Sequence, residues 1–105
     1  MIQRYEIQIE RREQYLEMKR IIEDKNIGEH LGIKLVDENY HLTTYHISTK
    51  NGGGVTMTAI YSPMSETKRN ITIVGEKEGV EEVRLTLEKK LFPEIENRLE
   101  KALAQ

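Results

Sequence analysis

The sequence predicts an α+β fold: a single mostly antiparallel sheet of about five strands, in the order β-α-β-β-β-β-α, with its helices on one face. Three observations carry this. A strand pattern opens the chain and gives way to a helical period. Short alternating segments, separated by turn residues, then fill the stretch from Ile33 to Val74. A long amphipathic run from Val80 to Leu103 closes the chain. At 105 residues there is material for one domain, spanning 1–105, with one modest core.

The first strand follows from Gln3–Glu10, where Tyr5, Ile7 and Ile9 alternate with Arg4, Glu6, Gln8 and Glu10. The period changes at Arg12–Lys25, where Tyr15, Met18 and Ile22 share one helical face and Asn26 and Gly28 give a stop signal. Gly32–Val36 predicts a short strand, with Ile33 and Leu35 inward, and Asp37-Glu38-Asn39 a turn. Tyr40–Thr49 predicts a longer strand, and Lys50-Asn51-Gly52-Gly53-Gly54 its hairpin loop. Val55–Tyr61 returns with Val55, Met57, Ala59 and Tyr61 on one face, and Arg69–Val74 supplies the last strand. In the closing helix the apolar arc of Val80, Val83, Leu87, Leu91, Phe92, Ile95, Leu99 and Leu103 drifts around the axis. Pro93 lacks a backbone donor, which predicts a kink or split there, with Pro93 opening a new segment. The order of elements resembles one repeat of the TATA-binding-protein-like folds and is compatible with helix-grip folds, in topology only. No residue signature of either is present.

Composition excludes several classes of function. With no cysteine, disulfides, thiolate metal sites and cysteine nucleophiles are ruled out. Met1–Glu6 lacks the apolar run of a signal peptide, and no stretch approaches membrane-spanning length, so a cytoplasmic location and no membrane partner are expected. The net charge of −2 is spread over a chain that is 32% charged, with signs interspersed, so no field draws in polyanions.

A sheet covered on one face leaves the other to be explained. Alternation places Lys34, Val36, Thr43, Tyr45, Ile47, Thr56, Thr58, Ile60, Thr72 and Val74 on the open face, with little charge among them. A face of that kind is often covered by a partner, and a second copy is the commonest one. The assignment rests on register. A slip of one residue in Tyr40–Thr49 would turn His41, Thr43, Tyr45 and Ile47 toward the core.

Chemical signatures are sparse. His41 and His46, five apart on one strand, point to opposite faces, and His30 precedes another strand, so no metal site is expected. Gly52-Gly53-Gly54 precedes a strand, not the helix a phosphate loop requires. Nearly all the carboxylates lie on predicted helix surfaces, and no serine has a nucleophile-elbow context, so neither catalysis nor a cofactor is expected.

The leading expectation is a non-catalytic protein-binding or adaptor domain, a homodimer formed through the open face (Thr43, Tyr45, Ile47, Thr58, Ile60) or the end of the last helix (Phe92, Leu99). One alternative is nucleic-acid binding through Arg11, Arg12, Lys34, Lys50, Lys68 and Arg69, although one Phe and no Trp leave little for base stacking. Another is a small-ligand carrier or enzyme with a pocket between sheet and helix.

Overall fold

In the computed structural model, residues 1–23, 32–50 and 53–104 are described. The stop signal at Asn26 and Gly28, His30, and the loop residues Asn51 and Gly52 lie outside them. Five strands form one sheet: β1 (Ile2–Gln8), β2 (Ile33–Glu38), β3 (Leu42–Ser48), β4 (Gly54–Tyr61) and β5 (Arg69–Glu76). The spatial order is β1-β5-β4-β3-β2, with every neighbouring pair antiparallel. Strands β2 to β5 are therefore a meander, and β1 adds to its far edge. Helix α1 (Arg12–Glu23), which follows β1, and a C-terminal helical run cover one face.

Helix α1 forms because Tyr15, Met18, Ile21 and Ile22 recur at helical spacing and all are buried. Its start is capped by Gln14, whose Oε1 accepts hydrogen bonds from the backbone N–H groups of Glu10 and Arg11, each at 3.0 Å. Lys19 ties the helix to the sheet edge through the Glu38 carboxylate, and that hydrogen bond raises the Lys19 pKa.

The C-terminal run is continuous and changes its winding in the middle. Helix α2 (Lys77–Thr86) passes into a π turn (Leu87–Leu91), then into helix α3 (Phe92–Leu103). The split expected at Pro93 takes this form. The Phe92 N–H reaches back to the Leu87 carbonyl, five residues away, and Pro93, in the first turn of α3, has no N–H to offer. The wider turn has a packing consequence. Leu87, Leu91 and Ile95 follow one another in steps of four, which in a regular α-helix would drift by roughly 40° per step. All three stay buried, with Phe92 and Leu99 half-buried beside them and Leu103 exposed.

The core lies between the helices and the inward rows of the sheet. Val55, Met57, Ala59, Ile73, Val83 and Leu91 have no exposed surface. Gly75 belongs to the same face, and a Cβ there would come within 3.1 Å of a Val55 methyl and 3.2 Å of the Gly54 carbonyl. A side chain at this point would make its neighbours give by a few tenths of an ångström.

One expectation is corrected. Thr43, Tyr45 and Ile47 do not lie on the open face: they are 0–1% exposed, in the core. The pairing of Tyr45 with Met57 and of Ser48 with Gly54 sets the register, and residues 42, 44, 46 and 48 face outward instead.

Candidate functional site

The open face is built by β-sheet register, and cross-strand partners define its rows. One row runs Lys34, His46, Thr56, Val74, Arg4. The next runs Asp37, Thr44, Thr58, Thr72, Glu6. A third runs Leu42, Ile60, Asn70, Gln8. The central strands thus present threonine, with Ile60 half-buried and Val74 partly exposed. β-branched threonine suits such a position because its side chain is stiff and fits the pleat. In these three rows the formal charges stand at the two edges: Lys34 and Asp37 on β2, Arg4 and Glu6 on β1. Within one copy Arg4 reaches Glu6 at 3.5 Å, both side chains well exposed.

His46 has a structural role on this face. Its imidazole lies over Gly54, where an added Cβ would meet the ring at 2.6 Å. The lone positions read from sequence as open-face residues that the register does place there are Lys34, Thr56, Thr58, Ile60, Thr72 and Val74. Val36 falls in a bulge, since Leu35 pairs with Tyr45 and Asp37 with Thr44, leaving it unmatched and exposed. The outward positions of Leu42, Thr44 and His46 were not read from sequence. The signal was the hairpin closure at Ser48–Gly54, which a run of glycines obscures.

The sheet edges are poor docking strands. The β2 edge is broken by its bulge and carries Lys34, Asp37 and Glu38, and the β1 edge carries Arg4 and Glu6.

A second concavity lies on the other side of the molecule. It is a groove of about 230 Å³ between the end of β1, the start of α1 and the start of α3. Ile7, Met18, Ile71, Phe92 and Ile95 form its apolar floor. At its rim Gln14 Nε2 donates to Glu96 at 3.2 Å and Arg11 pairs with Glu96 at 3.7 Å. Phe92 therefore lines a groove, while Leu99 packs against the core.

The cations considered for nucleic acid do not converge. Arg11, Arg12, Lys68 and Arg69 lie toward one end of the sheet, where the Ile9 N–H bonds the Arg69 carbonyl. Lys50 lies at the opposite end, beside the β3–β4 hairpin, and Lys34 is in the open-face row of His46. Arg69 is held inward: its guanidinium lies 4.8 Å from the Tyr61 ring centre and donates to the Ser62 and Pro63 carbonyls. Among the described residues no three of His, Cys, Asp and Glu gather as a metal site.

Three side-chain hydroxyls are buried inside the core. The Tyr15 and Thr43 hydroxyls hydrogen-bond each other at 2.8 Å, linking α1 to β3. The Tyr45 hydroxyl, two residues along the same strand face, has no hydrogen-bond partner among the described residues, and burial pushes its pKa up. Among the described residues no helix is long and apolar enough to cross a membrane. No protein-family model matches this chain, and neither a curated protein nor a solved structure matches it.

Proposed function

We propose that this chain is a non-catalytic protein-binding domain that associates with a second copy through the open face of its sheet. One observation carries the proposal. In a chain that is 32% charged, the three central strands present an outward face without a formal charge across the rows of Thr56, Thr58 and Ile60. Exposed sheet faces are cheap to charge, so its exclusion from the centre fits a covered surface. The groove supports the carrier alternative less well, being smaller than the roughly 300–1,000 Å³ of most ligand sites.

Area sets the expected strength. Five strands about 4.8 Å apart and three rows of outward side chains cover on the order of 500 Å² per copy. Both copies together reach roughly 1,000 Å², near the lower limit for a specific interface. The association is therefore concentration-dependent, in the micromolar range. Light scattering across a dilution series will show mass rising from 12.3 kDa toward twice that value. Ile60→Glu will hold the folded protein at the monomer mass. A chain that stays monomeric at every concentration, or an Ile60→Glu variant that associates as the parent does, overturns the proposal.

A further inference from the structure

The edge charges of the open face have an order that specifies how a second copy fits. Lys34 and Arg4 end one row, both positive, and Asp37 and Glu6 end the next, both negative. Stacking a copy with like rows in register, by a two-fold axis parallel to the strands, lays β1 over β2 and would set Lys34 over Arg4 and Asp37 over Glu6 at both edges. Turning the copy about a two-fold axis that runs parallel to the rows, midway between these two, reverses the rows and leaves each strand over its own counterpart. Arg4 then meets the partner's Glu6 on the β1 edge, and Lys34 meets the partner's Asp37 on the β2 edge. The symmetry repeats both contacts, giving four opposite-charge pairs around an uncharged threonine centre. In the third row Ile60 falls opposite Gly54, over which the His46 imidazole lies.

We infer that the partner of this face is a second copy of the same chain, packed face to face in this reversed-row orientation. The orientation rests on the self-association proposed above. Sheets packed this way lie about 10 Å apart and cross at roughly −30°, a displacement at the edges that the long Arg4 and Lys34 side chains can span. The charges select the orientation and exclude the like-row alternative, while the uncharged centre supplies the buried area.

The inference is tested by exchanging the rows. A variant with Arg4→Glu, Glu6→Arg, Lys34→Asp and Asp37→Lys keeps the net charge and the Arg4–Glu6 type of contact within each copy, and its folding is checked by thermal melting. Under the reversed-row orientation the variant dimerises with itself as the parent does. Mixed with the parent it places positive over positive and negative over negative at every rim contact. Native mass spectrometry of the equilibrated mixture will therefore show mixed dimers about tenfold or more below the share that random exchange gives. Random exchange, or an excess of mixed dimers, overturns the orientation while leaving self-association standing. Absence of dimer in the parent overturns the reading beneath it. If the fourfold exchange does not fold, the β1-edge exchange alone, Arg4→Glu with Glu6→Arg, carries the same expectation with a smaller depletion of mixed dimers.

Discussion

Two tyrosines and a threonine show how this core handles polar atoms. Tyr15 and Thr43 satisfy one another at 2.8 Å, so the Thr43 hydroxyl costs little despite complete burial. Tyr45 has no such partner among the described residues. An unmatched buried hydroxyl costs about 1–3 kcal/mol, so Tyr45→Phe, which keeps the ring, will be neutral or stabilising at neutral pH. Its pH dependence is more specific. Burial raises the Tyr45 pKa above its ordinary 10.0, so the folded state keeps a proton that the unfolded chain releases. The contribution to stability is complete below about pH 10 and declines as pH climbs above it. Lys19, raised by Glu38, adds a loss of the same sign. Urea midpoints between about pH 8 and pH 11 will fall for the parent and fall less steeply for Tyr45→Phe. Identical slopes would place the Tyr45 hydroxyl in contact with water.

The elements differ in how far the sequence discloses them. Strand β1 alternates without ambiguity, and its outward Arg4 and Glu6 and inward Tyr5 and Ile7 stand where the alternation puts them. Strand β3 does not alternate cleanly, since Leu42, Thr44 and His46 on one side and Thr43, Tyr45 and Ile47 on the other are both mixed sets. The inward set is settled by Tyr15 from another element, which accommodates Thr43, and no local pattern contains that contact. The same holds for the candidate site, whose charged rim depends on the pairing of β1 with β5 and on the β2 bulge, both long-range facts. In the C-terminal run the apolar drift and Pro93 were legible together, and the π turn is what reconciles them. Because that turn keeps Leu91 and Ile95 on one buried face, Leu91→Ala and Ile95→Ala will each cost about 2–5 kcal/mol, and Leu103→Ala no more than about 0.5 kcal/mol. Denaturant unfolding checks this. A small cost at Ile95 alone would mean that the run continues as a regular α-helix and carries this residue off the core.

At the scale of the whole molecule the architecture is two layers, helices on one side of a sheet and, among the described residues, no element on the other. Adjacent residues of one central strand therefore face opposite fates. Ala59 is fully buried under the helices, and Thr58, next to it on β4, faces outward beside Thr44 and Thr72. A carboxylate at Ala59 would be placed in the core without a cation to pair with, and burying an unpaired charge costs more than a domain of this size can spare. Ala59→Glu will therefore prevent folding. A carboxylate at Thr58 remains in water in the free chain, and strand propensity alone moves stability by no more than about 1 kcal/mol. Thr58→Glu will melt close to the parent at low concentration. Its effect emerges only as concentration rises, because it sets two carboxylates into the centre of an interface that the parent leaves uncharged there. The parent will gain melting temperature with concentration, by the mass action that couples folding to association, and Thr58→Glu will not. Loss of folding in both variants at high dilution would contradict the two-layer arrangement, since it would require the second face of the sheet to be buried by this chain itself.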